Sequence, residues 1–211
     1  TEKEIVPVYN FVDKRRYYPK EVTKLKKVFA PNGEKILMHI SNFRPVKRVP
    51  DVIEIFSRVR EEVPSRLILI GEGPEMGLVR KMIAELGLND DVCFLGKQED
   101  VAEVLSMADI MLLPSEKESF GLVALEAMAC GVPVLSGDAD GSADPLQDGK
   151  LGWRVPHRDP NAVAAACIEI LKGDDPRCDG QWLREQAIAL FGIDAFQKRL
   201  KEQLLSLVNS P

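Results

Sequence analysis

Residues 110–135 read Ile110-Met111-Leu112-Leu113, then Pro114-Ser115-Glu116-Lys117-Glu118-Ser119-Phe120-Gly121, then Leu122-Val123-Ala124-Leu125-Glu126-Ala127-Met128-Ala129-Cys130-Gly131, then Val132-Pro133-Val134-Leu135. The first group is an unbroken apolar run bounded by a turn residue, the pattern of a strand covered on both faces. The second is polar and ends on glycine, so it reads as a loop. The third places Leu122, Val123, Leu125 and Met128 at helical spacing and stops near Gly131. The fourth is another short apolar strand. Strand, loop, helix and strand in this order form a parallel unit, because parallel neighbours need a crossover connection.

The same alternation continues on both sides. Ile36-Leu37-Met38-His39-Ile40, Leu67-Ile68-Leu69-Ile70 and Val92-Cys93-Phe94-Leu95 are further buried-strand runs. Val52, Ile53, Ile55, Phe56 and Val59 recur at helical spacing, as do Met76, Val79, Met82, Ile83 and Leu86. A short helix is expected over Val101–Met107. Beyond Gly149 a strand near Gly152–Val155 precedes helices over Asn161–Leu171, Gln181–Phe191 and Ala195–Val208, with a turn at 173–177. Short connections between alternating strands and helices are the mark of a doubly wound α/β sheet. Such sheets bind ligands beyond the carboxyl ends of their strands. The loops to watch are 41–48, 71–75, 95–98, 114–121 and 136–144.

Residues 1–35 hold an extended piece over Ile5–Asn10 and a charged helix near Lys20–Phe29. They read as a lead-in from a missing N-terminal domain, ahead of one α/β domain at 36–192 and a C-terminal helix at 193–211. The 211 residues carry a net charge of −5, with 45% hydrophobic and 29% charged side chains, an ordinary globular balance. No basic excess is available for nucleic-acid phosphates. No run approaches the roughly 18 apolar residues of a membrane span, and no leader is visible. Cys93, Cys130, Cys167 and Cys178 form no CxxC pair, and His39 and His157 lie far apart, so a metal site is not expected. Scattered cysteines fit a reducing cytoplasm.

Two constellations fall on loops of one sheet edge. Glu118 and Glu126 stand eight positions apart around the start of a helix at Gly121. A helix start offers unpaired N–H groups and a positive dipole end to a phosphate. A carboxylate on either side can accept from neighbouring sugar hydroxyls. Phosphates between two hydroxyl-bearing rings describe a sugar nucleotide. The bland alternative, a helix-cap neighbour and a solvated glutamate, has roughly even odds for the two residues taken alone. Ser41-Asn42-Phe43-Arg44-Pro45-Val46-Lys47-Arg48 supplies three cations directly after the first strand. Arg clamps phosphate oxygens in a fork and Lys acts as a point charge. Arg44 and Lys47 are favoured over Arg48. Gly71-Glu72-Gly73-Pro74 reads as a tight strand-to-helix turn. His39 is about three times more readily a satisfied core histidine than a base. Trp153 and Trp182 are packing residues.

The stretch from Glu118 to Val134 resembles the E-x7-E element of retaining glycosyltransferases of family four, which have the GT-B fold. The GT-B fold joins two Rossmann-like halves, and the resemblance implies that this chain is the donor half. It further implies that Glu126 holds ribose hydroxyls and Glu118 the donor sugar. Arg44 and Lys47, with the amides around Ser119, Phe120, Gly121, Leu122 and Val123, would stabilise the leaving diphosphate. Gly96, Lys97 and Gln98 would face the base. Retention without an obligatory metal is implied, with a UDP-sugar as substrate and no cofactor. Within the family, residues 1–135 are similar to one bacterial member through Tyr9-Asn10-Phe11-Val12-Asp13, His39-Ile40-Ser41-Asn42-Phe43-Arg44 and Phe94-Leu95-Gly96-Lys97-Gln98. That similarity would imply UDP-N-acetylglucosamine as donor and L-malate as acceptor, the acceptor being held by the missing N-terminal domain. The loop Gly137-Asp138-Ala139-Asp140-Gly141-Ser142 departs from the family's Gly-Gly-x-Pro-Glu and looks closer to other relatives, as in a chimera. The expected function is donor binding by a domain that is inactive alone. The rivals are a stand-alone scaffold, engineered or chimeric, and a sugar-nucleotide epimerase.

Overall fold

The computed structural model describes residues 8–138, 140–156 and 158–209. The expectations for Thr1–Glu4, the beginning of the Ile5–Asn10 piece, Ala139 and His157 lie outside the described residues. Six parallel strands form one sheet among the described residues: β1 (Lys35–Ile40), β2 (Ser65–Ile70), β3 (Val92–Gly96), β4 (Ile110–Leu113), β5 (Val134–Gly137) and β6 (Trp153–Val155). Their order is β3-β2-β1-β4-β5-β6. The helices are α1 (Thr23–Phe29), α2 (Val49–Glu62), α3 (Met76–Glu85), α4 (Ala102–Leu105), α5 (Leu122–Ala129), α6 (Pro160–Lys172), α7 (Gly180–Phe191) and α8 (Ile193–Asn209).

The unbroken apolar runs are explained by the two faces they serve. Alternate strand side chains point to opposite sides of a sheet. Ile36, Met38, Ile68, Ile70, Met111, Leu113 and Val134 enter one core, shared with Leu125 and Met128 of α5 and Leu183 and Phe191 of α7. Leu37, Leu67, Leu69, Ile110, Leu112 and Leu135 enter the other, shared with α2, α3 and α6. On α2 the spacing of Val52, Ile53, Ile55, Phe56 and Val59 puts all five fully inside that second core. Tyr17 and Val12 of the lead-in segment belong to the first core, and the Val12 amide donates to the Phe191 carbonyl at 2.9 Å.

The departures from expectation have local causes. β3 is half-buried rather than covered on both faces, because it is an edge strand with a partner on one side only. β5 starts at Val134, two residues later than expected: Pro133 has no N–H to offer a ladder, though its carbonyl accepts from Met111 at 2.8 Å. The helix expected over 101–107 is the single turn of α4, and α1 begins at Thr23.

Candidate functional site

β1 and β4 are neighbours, but the chain leaves β1 towards β2 and leaves β4 towards β5. A crevice opens between two such loops at the carboxyl edge of the sheet, where the strand order reverses. The loop after β1 is held from beneath by the Gly71-Glu72-Gly73 turn. A Cβ on Gly71 would fall 1.8 Å from the Ser41 carbonyl oxygen, and one on Gly73 would fall 2.0 Å from that of Asn42. Both positions therefore require glycine for backbone-to-backbone contact, a stronger constraint than a simple turn. Phe43, fully buried, anchors the same loop in the second core. Pro45–Lys47 form one turn of 3-10 helix, and the Arg48 guanidinium donates twice to Asp51, at 2.8 and 2.9 Å.

The loop after β4 comes to meet it. The Glu116 amide donates to the Val46 carbonyl at 2.9 Å, and Lys47 Nζ donates to Glu118 Oε2 at 2.7 Å. Both side chains of that pair are about one-fifth exposed. Glu118 Oε1 accepts from the Ser119 amide at 3.1 Å. The third loop, after β5, lies directly on the second: a Cβ on Gly141 would sit 1.9 Å from the Glu118 carbonyl oxygen. The loops after β1 and β4 flank a cleft of about 320 Å³ whose walls include Ser41 and Lys47, Ser115, the run 118–123 that opens α5, and Asn10 of the lead-in segment.

Not every residue singled out in the sequence faces this cleft. Lys47, Glu118, Ser119, Phe120, Gly121, Leu122 and Val123 do. Arg44 is exposed at the outer side of the turn that carries Lys47, and Arg48 is engaged with Asp51. Glu126 lies further along α5, facing the Tyr17 hydroxyl. Burial holds its carboxyl above the ordinary value, partly offset by Tyr17 and by the charge of Arg16. Gly96 ends the edge strand β3 and Lys97 and Gln98 follow it on the same rim, with Gln98 Nε2 donating to the Leu95 carbonyl at 2.6 Å. Arg16 joins these regions by donating to the Glu99 carbonyl at 2.6 Å.

His39 is fully buried with both ring nitrogens engaged, Nδ1 with the Leu112 carbonyl and Nε2 with Ser41 Oγ, each at 2.8 Å. A carbonyl only accepts, so Nδ1 carries the proton and the Ser41 hydroxyl donates to Nε2. Desolvation lowers its pKa to about 4, against a small opposing effect of the Leu112 carbonyl. The ring is a structural strut under the loop after β1.

Sequence reasoning assigned no role to Asn10, Ser115 or Tyr17. Their signal is topological. Tyr9 stacks on Phe120 with ring centroids 6.0 Å apart, and Phe120 packs on Phe191 at 6.1 Å, so the lead-in segment is carried across the start of α5. No local pattern in residues 8–17 announces that long-range docking.

The family described as glycosyl transferases group 1 matches residues 21–181. The chain belongs to this family. Among its group 1 relatives, N-acetyl-alpha-D-glucosaminyl L-malate synthase of Bacillus anthracis is 46% identical over 191 residues, covering 90% of this chain and 50% of that protein. That match is longer than the 1–135 stretch on which the sequence resemblance rests. D-inositol 3-phosphate glycosyltransferase of Thermobispora bispora is 34% identical over 164 residues, 72% of this chain and 38% of that protein. Among solved structures, sucrose-phosphate synthase of Thermosynechococcus elongatus aligns with a TM-score of 0.80 at 27% identity, over 95% of this chain and 52% of the other. A Staphylococcus aureus TarM mutant, determined with UDP, fondaparinux and alpha-GlcNAc-glycerol, gives 0.79 at 26%, over 100% and 41%. The chain thus spans about half the length of these relatives, or less. It is a partial chain of a GT-B glycosyltransferase, with the six-stranded parallel Rossmann-like sheet that such enzymes share. Among the described residues no helix is long and apolar enough to cross a membrane.

Proposed function

We propose that this domain binds the donor of a retaining glycosyltransferase, a UDP-sugar and specifically UDP-N-acetylglucosamine, and that it is catalytically inactive without the acceptor-binding part of the enzyme. The observation that carries the reading is the Lys47–Glu118 pair, 2.7 Å across the cleft at the switch point and beside the first turn of α5. A cation, a hydroxyl-accepting carboxylate and a helix N-terminus within one crevice suit a phosphorylated sugar. The donor sugar is supported by the activity for which the Bacillus anthracis relative is named and by the ligands of TarM.

In this reading the diphosphate lies between Lys47 and the amides of residues 121–123, and Arg44, exposed on the same loop, joins by swinging inward. Glu118 receives the sugar hydroxyls once Lys47 has turned to the phosphates. Glu126, with Tyr17 beside it, receives the ribose hydroxyls, and Gly96, Lys97 and Gln98 flank the base. The protein groups meet the charge that develops on the departing UDP by fixed electrostatics, and no metal is invoked. Titration calorimetry of the folded chain with UDP tests this. Saturable heat is expected, weakened about tenfold or more by Lys47→Ala and by Glu126→Ala, roughly 1.4 kcal/mol each. Glu118→Ala is expected to leave UDP affinity nearly intact and to abolish any extra affinity for UDP-N-acetylglucosamine. Folded protein that gives no heat with UDP refutes the proposal.

A further inference from the structure

Five buried side-chain atoms among the described residues have no hydrogen-bond partner: Ser65 Oγ, Glu75 Oε2, Ser115 Oγ, Arg154 Nε and Arg199 Nη2. Of these residues only Ser115 lines the cleft. Ser115 is 2% exposed and follows β4 by one proline, at the point where the strand gives way to the loop that carries Glu118. Buried hydroxyls are almost always paired, so an orphan in the wall of the cleft has a hydrogen bond still to give.

The pairing around it shows what that state needs. Lys47 is the one cation among the described residues that line the cleft. Its partner is Glu118, whose Oε2 takes Lys47 Nζ at 2.7 Å and whose Oε1 takes the Ser119 amide at 3.1 Å. Each carboxylate oxygen thereby accepts one hydrogen bond, and neither pairs with the Ser115 hydroxyl. A hydroxyl donates one hydrogen bond, and phosphate oxygens only accept. A diphosphate that draws Lys47 away from Glu118 brings several acceptor oxygens into the same volume.

We propose that Ser115 is a donor-binding residue whose hydroxyl donates to a diphosphate oxygen of the bound nucleotide, alongside Lys47. This rests on the donor-site reading above. The test compares Ser115→Ala with the parent chain in two measurements, thermal unfolding without ligand and calorimetric titration with UDP and with UDP-N-acetylglucosamine. Removing an unpaired buried hydroxyl leaves the unliganded midpoint unchanged or higher, while UDP affinity falls about tenfold, and by the same factor for the sugar nucleotide. A midpoint several degrees lower shows that the hydroxyl has a structural partner and overturns the proposal. Equal UDP affinity in parent and variant overturns it too. Loss confined to UDP-N-acetylglucosamine moves the contact to the sugar and refutes the diphosphate assignment. A parent chain that binds no UDP defeats the donor-site reading itself, an outcome distinct from a parent that binds and a variant that binds equally well.

Discussion

Gly141→Ala tests whether the loop after β5 is the mechanical support of Glu118. The added methyl would lie 1.9 Å from the Glu118 carbonyl oxygen, 2.5 Å from its carbon and 2.7 Å from the Ser119 carbonyl carbon. All three are backbone atoms, so no side chain can rotate out of the way. One of the two loops must retreat by about 1.5 Å to restore ordinary contact, an overpacking cost of about 1–3 kcal/mol. With about 2–4 °C per kcal/mol for a domain of this size, a central cost of ~2 kcal/mol lowers the unfolding midpoint by roughly 4–8 °C. The displaced backbone is that of Glu118 itself, so the 2.7 Å bond to Lys47 lengthens as well. Differential scanning calorimetry reads the stability and titration with UDP-N-acetylglucosamine reads the site. Gly77→Ala is the control: it sits in α3 with open space around its Cβ, and it should stabilise by about 0.5–1 kcal/mol through helix propensity alone. A Gly141→Ala midpoint within about 1 °C of the parent, with unchanged affinity, would show that the loops do not bear on each other and refute the reasoning.

Two predictions concern protonation. Burial raises the folded-state pKa of Glu126 above its ordinary 4.5, so the folded protein retains a proton that the unfolded chain gives up. Stability then falls as pH climbs from 4.5 to the folded-state value and is level above it. Glu126→Gln should raise the unliganded midpoint at pH 7, with the gain vanishing near pH 4.5; a gain that persists in acid would contradict a desolvated carboxylate. His39 has the opposite sense: its pKa falls from 6.5 to about 4, so stability is level above 6.5 and drops as pH falls towards 4, by about 3 kcal/mol at 1.36 kcal/mol per unit. Nitrogen-15 spectra should show a neutral ring protonated at Nδ1 at pH 5.5, and an imidazolium there would sink the assignment.

The strands, and with them the sheet, were legible because each central strand feeds two cores. Ile36, Leu37 and Met38 are all fully buried, on alternating faces, and an unbroken apolar run is the only sequence that satisfies both. The position of the cleft followed from the same reading. Parallel strands put the loops after β1 and β4 on one rim, and the Lys47–Glu118 contact is the result. What could not be read is whatever depends on a contact between distant segments. The turn Gly71-Glu72-Gly73 looks like an ordinary connection until Ser41 and Asn42 are seen resting on it. Tyr17 reaches Glu126 across more than a hundred positions of chain, and nothing in either neighbourhood encodes the meeting. Arg44 and Lys47 look equivalent on paper. The 3-10 turn between them directs Lys47 inward and leaves Arg44 exposed.

The cleft separates what is fixed from what can change. Its backbone is locked by close approaches that admit only hydrogen at the contact: Gly71 against Ser41, Gly73 against Asn42, Gly141 against Glu118. His39 adds a buried polar strut, linking the Leu112 carbonyl of β4 to the Ser41 hydroxyl at the end of β1. The side chains facing the cavity are held by pairing rather than by packing. Lys47 and Glu118 are only about one-fifth exposed, so parting them is cheap only when each charge is paired again at once. A phosphate supplies that for Lys47 and sugar hydroxyls for Glu118, whereas moving either loop would break backbone packing with nothing in exchange. Partner exchange on a rigid rim is therefore the inexpensive response to an anion, and it frees Glu118 to accept hydroxyls at the moment the cation is claimed. If the two loops instead moved apart on binding, amide exchange of the Glu116 N–H, bonded to the Val46 carbonyl, would speed up in the presence of UDP; a rigid rim requires it to slow or stay the same.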